Sequence, residues 1–278
     1  MRQLILFIVV ILLWSLLAIF PMSVYASPMV EIIPSRFELL VEPRERSIQS
    51  IVISNHGKEE LTLIASSRDW DMSQTDSLIL FDAATTPRSA SNWLRFNPRR
   101  FTIPSGKTQI IRFAVTAPPQ LEAGEYRTAI VLETKEEYEI KDNYYYQPIF
   151  AVLVYVNVPE VKRVGELDEI VVTLDDQGNY ILNGKLYSKG NAHLRTEGEF
   201  LLRDSKGLIV KKERLGKQVV LPGKNIKFKI NLGKRLDSGE YQGEILWRYI
   251  PAFYLEDQLS EYNNVETELI KKVKITIR

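Results

Sequence analysis

The sequence predicts an all-β protein built as two tandem antiparallel β-sandwiches. Three observations carry that expectation. A cassette of turn, strand, turn, strand occurs twice: Ile103-Pro104-Ser105-Gly106-Lys107 leads to Ala123-Gly124-Glu125-Tyr126, and Leu221-Pro222-Gly223-Lys224 leads to Ser238-Gly239-Glu240-Tyr241. The two Gly-Glu-Tyr copies begin at residues 124 and 239, one domain length apart. Short runs of alternating apolar and polar residues, separated by Gly, Asn and Asp turns, fill most of the chain, and only one short stretch leaves room for a helical turn. Regular short strands of this kind read as immunoglobulin-like sandwiches.

The elements follow in order. Arg2, the apolar run Leu4–Phe20, Pro21 and the small residues of Val24-Tyr25-Ala26 read as an export signal over residues 1–26, with the mature chain starting near Ser27. The run is also long enough for an uncleaved anchor. The first sandwich, residues 27–160, is expected to hold strands at Phe37–Val41, Ser47–Ser54, Leu61–Trp70, Leu78–Phe81, Trp93–Phe101, Thr108–Thr116, Tyr126–Thr134 and Ile149–Val158. Residues from Met72 to Ser91 form a long connection that carries the Leu78–Phe81 strand. Pro159–Glu166 is short and charged, so it reads as a restrained elbow.

The second sandwich, residues 161–278, is expected at Ile170–Leu174, Tyr180–Ser188, Arg195–Arg203, Leu208–Glu213, Ile226–Leu232, Tyr241–Tyr249 and Glu268–Ile277. Pro251–Asn264 breaks this rhythm and reads as a helical turn or a covering loop.

Composition excludes several classes of function. Arg2 is the only charged residue of the leader, and the remainder balances at 35 basic against 35 acidic residues. Such a chain has no global field to draw nucleic acid or anionic lipid. With no cysteine, disulfides, thiol catalysis and sulfur-ligated metals are ruled out. The two histidines, His56 and His193, sit in turn contexts without a nucleophile or metal partner at a telling spacing, so no catalytic role is expected. Asp69, Asp71 and Asp76 lack the glycine and terminal acid of a calcium loop. Lys271, Lys272 and Lys274 read as solvent-facing charges on an edge strand. The expectation is a non-enzyme without cofactor or metal.

Two features suggest binding. Tyr144-Tyr145-Tyr146 is either an exposed aromatic surface or a hairpin end folded on its own sheet. Ile149–Val158 is apolar on both faces, and Phe150, Val152, Val154, Val156 and Val158 include no polar residue. A two-layer sandwich buries only one face of each sheet. The other face of this strand therefore needs a cover: the second sandwich, a dimer partner, or a client polypeptide adding a strand.

On these residues a family resemblance can be stated. Arg46–Asn55, Ile103–Arg112 and the Ile149–Val158 strand ending at Pro159 make the chain resemble the periplasmic chaperones of chaperone–usher pilus assembly. Gly190-Asn191-Ala192-His193-Leu194, Gly223-Lys224 and Gly239-Glu240-Tyr241 are also similar to WxL-interacting two-domain surface proteins. The first resemblance implies a periplasmic, non-catalytic chaperone. It would hold an exported pilin-like subunit by lending the last strand of its first domain, with Phe150, Val152, Val154 and Val156 as the lending face and Tyr145 beside it. Arg36 lies near the family's first-strand arginine but out of register. The family's strand lysine is absent from Ile149–Val158, so a carboxylate anchor is not implied. The second resemblance implies a cell-surface adaptor.

Overall fold

The computed structural model describes residues 29–73, 77–141, 144–234, 236–249 and 268–277. The export signal and the Pro251–Asn264 break lie outside the described residues. No helix among the described residues is long and apolar enough to cross a membrane.

Two sandwiches form as the repeated cassette requires. The first contains β1 (Val30–Ile33), β2 (Arg36–Leu40), β3 (Arg46–Asn55), β4 (Leu61–Met72), β5 (Leu78–Phe81), β6 (Leu94–Asn97), β7 (Arg100–Ile103), β8 (Thr108–Thr116), β9 (Gly124–Thr134) and β12 (Ile149–Val158). One sheet runs β1-β3-β8-β6; the other runs β2-β12-β9-β4-β5, with β7 also paired to β4. Between them β10 (Tyr138–Lys141) and β11 (Tyr144–Tyr146) make a small hairpin of their own. Alternating residues of the two inner faces meet in one core that includes Ile51, Ile53, Leu63, Ile111, Phe113, Ile130 and Leu132. Phe37 and Phe113 meet edge to face at 4.8 Å within it.

The second sandwich contains β13 (Gly165–Leu174), β14 (Tyr180–Ser188), β15 (Leu194–Arg203), β16 (Ile209–Val220), β17 (Asn225–Gly233), β18 (Gly239–Tyr249) and β19 (Glu268–Ile277). Its sheets run β13-β14-β17 and β16-β15-β18-β19, around Leu182, Leu186, Phe200, Ile230, Ile245 and Trp247.

One expected strand needs correction, and it fails at a proline. The run Trp93–Phe101 is not one strand. A single turn of 3-10 helix at Ser91–Trp93 leads to β6, which pairs β8, whereas β7 pairs β4 in the opposite sheet. Pro98 between them has no N–H for a ladder and a fixed φ, so the chain leaves one sheet and enters the other. The expected strand at Phe37–Val41 forms as β2, and β1, absent from the sequence reading, precedes it across Pro34. β1 pairs β3 antiparallel in one sheet, and β2 pairs β12 parallel in the other.

A buried carboxylate organises the long connection. Asp69 accepts hydrogen bonds from the Thr85 and Thr86 amides, from the Thr86 hydroxyl at 2.9 Å, from Ser89 at 2.6 Å and from Ser91. Burial opposes the charge, but the Ser89, Ser91 and Thr86 donors outweigh it and hold the pKa below the usual carboxylate value. Asp69 thereby staples residues 85–91 onto β4.

Candidate functional site

The apolar strand β12 has two unlike halves. Along its whole length it pairs antiparallel with β9, from Ile149 opposite Glu133 to Val158 opposite Gly124. On its other side only Leu153–Asn157 are paired, in parallel with Arg36–Leu40 of β2. The Leu153 amide donates to the Ser35 carbonyl at 3.1 Å, so odd-numbered residues direct their backbone groups toward that side. The N–H and C=O groups of Ile149 and Ala151 therefore point to an edge with no partner strand among the described residues. β1 is likewise the terminal strand of its sheet. Two edges thus flank one side of the sandwich.

The side chains of β12 sort differently from the sequence reading. Val152, Val154 and Val156 are fully buried in the first sandwich's own core, with Phe150 half-buried at its margin. The expected lending face is therefore the inward face in this state, because a strand with a neighbouring sheet below it must fill that sheet's core first. The opposite face is the one that needs a cover. Tyr155 packs with Trp70, Ala129, Val131 and Leu221, and Ala151, Leu153 and Val219 lie against this cluster. Leu221 and Val219 belong to the second sandwich, so that domain covers the C-terminal half. The N-terminal half stays open: Ile149 is 54% exposed.

Next to this open end stands the β10–β11 hairpin. Tyr138 and Tyr146 pack ring to ring at 6.0 Å, while Tyr144 (74%) and Tyr145 (57%) are exposed. The Tyr145 side chain is free for contact; the tyrosine run is a strand of a hairpin rather than a loop.

The covered end carries a polar junction that the sequence did not reveal. The loop Lys189–His193 of the second sandwich lies on the start of β9 and is tied to the elbow. The Lys162 amide donates to Asn191 Oδ1 at 2.6 Å, and the Asn191 amide donates back to the Lys162 carbonyl at 2.9 Å. The Asn191 side chain also donates to the Glu160 carbonyl at 3.1 Å. Across the domains, the Glu125 amide donates to the Asn191 carbonyl at 2.9 Å, and the His193 amide donates to Glu125 Oε2 at 3.1 Å. Two glycines permit this approach. A Cβ at Gly190 would lie 2.0 Å from the Lys162 carbonyl oxygen, and one at Gly124 would lie 2.8 Å from that of Asn191.

His193, 1% exposed, is the centre of the junction. Its Nδ1 pairs with Glu125 and its Nε2 lies 3.7 Å from Glu38 Oε1. The ring stacks at 4.3 Å on Tyr155. Arg36 and Arg195 approach Glu38 at 3.3 and 3.7 Å, and Arg127 approaches Glu125 at 3.2 Å. Burial opposes the charges of Glu38, Glu125 and His193, yet their partners win. His193, Arg195 and Arg36 hold Glu38 at about 2 despite its burial. Burial raises Glu125 and His193 and Arg127 lower it further. Burial depresses His193, but Glu125 and Glu38 more than restore its proton affinity and raise its pKa above the ordinary imidazole value. Burial pushes the Tyr155 hydroxyl well above the usual phenol value. The expected binding residue Arg36 is thus committed to Glu38 inside the junction. His193, set aside in the sequence, is as deeply buried in it as Glu125.

No protein-family model and no curated protein matches the chain. Solved structures of similar fold include the class 5 fimbriae chaperone CfaA, 14% identical over 87% of this chain and 98% of that one, with a TM-score of 0.45. The E. coli chaperone DraB is 11% identical over 89% and 98%, also at 0.45. The Salmonella enterica SafA pilin in complex with the SafB chaperone is 11% identical over 89% and 96%, at 0.42. At such identities and scores the likeness concerns fold alone.

Proposed function

We propose that this protein is an exported, non-catalytic chaperone that holds a pilin-like or surface subunit by adding the subunit's strand to the open edge of Ile149–Val152. One observation carries the reading: Ile149 and Ala151 offer unpaired backbone groups in a segment, Ile149–Val152, without a single charge. Edge strands usually carry charges that deter pairing. The second sandwich conforms, with Glu166, Asp168 and Glu169 on β13, Lys211 to Arg214 on β16, and Lys271, Lys272 and Lys274 on β19. Among the described residues, Leu78–Phe81 of β5 and Tyr144–Tyr146 of β11 are also uncharged edges, but each is a whole short strand, β5 being ended by Asp82. The Ile149–Val152 edge instead continues a strand whose far half β2 already extends, so an incoming strand takes up where β2 stops.

Phe150 and Val152 lie in this segment, Tyr145 beside it, and Val154 and Val156 under the pairing with β2. Export rests on the Arg2–Ala26 signal pattern, which places the chaperone in the periplasm or at the cell surface.

The test is photo-crosslinking from position 149 in the native host, with position 174 of the second sandwich as a control. A discrete adduct from 149, and none from 174, to a small exported subunit is expected. With the crosslinker moved to exposed Tyr145, Ile149→Asp should abolish the adduct to that subunit and leave the fold intact, whereas Val154→Asp, in the core, should unfold the first sandwich at a cost above about 4 kcal/mol. Adducts only to a second copy of the chain would overturn the reading. Adducts to a wall-anchored protein would assign the adaptor role instead.

A further inference from the structure

The junction between the sandwiches has a feature that holding a client does not require. His193 is enclosed by two carboxylates from two different strands of the first sandwich, Glu125 on β9 and Glu38 on β2, which flank β12 on either side. A doubly protonated imidazole has one N–H for each carboxylate. A neutral imidazole has only one, so one carboxylate must then face a ring lone pair in a buried site.

We propose that Glu125, His193 and Glu38 form a protonation-set latch, which fixes the orientation of the two sandwiches while His193 is doubly protonated and frees it when that proton leaves. This inference rests on the interdomain geometry and stands whether or not Ile149–Val152 holds a client.

The other charged and titratable groups facing His193 do not replace it as the switch. Arg36 and Arg195 on Glu38, and Arg127 on Glu125, keep their charge at any physiological pH. Tyr155, stacked on the ring, keeps its proton because burial raises its pKa. Glu38 and Glu125 are held as carboxylates. Histidine is the residue whose charge changes nearest neutrality, and here its partners move that change to the alkaline side. The backbone bonds of Asn191 to Glu125 and Lys162 do not titrate. Loss of the proton therefore loosens the elbow rather than separating the domains.

The experiment follows the mature protein through a pH titration by two methods at once. Imidazole NMR signals report His193, with half-exposed His56 beside Glu31 as the second, distinguishable ring. Residual dipolar couplings report the angle between the sandwiches. The expected result is that His193 releases its proton above the ordinary imidazole range and that the couplings change with the same midpoint. His193→Gln should hold the released arrangement at all pH values, and Glu38→Gln should move the midpoint down. Couplings that stay constant while His193 titrates would overturn the latch. So would a pH-dependent angle that persists in His193→Gln. Should that variant fail to fold, the wild-type titration decides alone.

Discussion

The two copies of the Gly-Glu-Tyr cassette have the same local structure and opposite surroundings. In both, the tyrosine hydroxyl donates to a carbonyl four residues back: Tyr126 to Glu122 at 3.3 Å and Tyr241 to Asp237 at 2.9 Å. Such a bond pins the corner by which the chain enters the penultimate strand. The glutamates differ. Glu125 is buried against His193 and Arg127, while Glu240 is exposed and pairs with Lys274 at 2.7 Å. The glycines differ too: a Cβ at Gly124 would strike Asn191, and one at Gly239 meets nothing within 4 Å. One motif therefore builds a sandwich corner twice and builds a domain junction once. What distinguishes the copies is the loop that lands on the first.

The largest test of that difference is a pair of glutamate deletions. Glu125→Ala leaves His193 and Arg127 buried without their partner and should cost about 3–5 kcal/mol in urea denaturation. Glu240→Ala removes an exposed ion pair and should stay within about 0.5 kcal/mol. Equal losses would erase the contrast. The pH profile belongs to the same comparison. His193 has a raised pKa, so its contribution is complete below the ordinary imidazole pKa and is lost as pH rises through the folded value. Glu38 has a lowered pKa, so its contribution is present above about 4.5 and is lost as pH falls toward about 2. Both arms should flatten in Glu125→Ala, because its charge supports the ion that links them.

A smaller effect is expected from Gly124→Ala. Overpacking against the Asn191 carbonyl should cost about 1–3 kcal/mol, and the Asn191 and Ala192 amides should exchange faster. Gly239→Ala meets open space and should leave amides at the junction unchanged. The smallest effect comes from Tyr126→Phe and Tyr241→Phe. Each loses one hydrogen bond, about 1 kcal/mol, and near-equal values would confirm that the corners themselves are alike.

Much of the fold was legible because strands announce themselves locally. The cassette, the turns and the period-two runs gave two sandwiches with most strands in place. The two apolar faces of Ile149–Val158 also announced a cover, which proves to be Leu221 and Val219 over its far half. Which of the two faces looks inside was not legible, since periodicity gives two faces without saying which is which; Val152, Val154 and Val156 prove to be inward. The sheet switch at Pro98 had a signal, a residue without an N–H inside the Trp93–Phe101 run, whose consequence is visible only when both sheets are known. The junction had none of this kind. Glu125 and His193 are 68 residues apart, in separate sandwiches, and nothing in Gly-Glu-Tyr separates a buried glutamate from an exposed one.

A second contrast, between the halves of β12, bears most directly on function, and amide exchange on the free mature protein measures it. Leu153 donates to Ser35 of the segment entering β2, whereas Ala151, two residues earlier on the same side, has no partner among the described residues. The expected result is rapid exchange at Ile149 and Ala151 beside strong protection at Val152 and Leu153, an edge held open for an incoming strand. Protection of Ala151 equal to that of Leu153 would mean that the edge is already filled, and would contradict strand addition at this site.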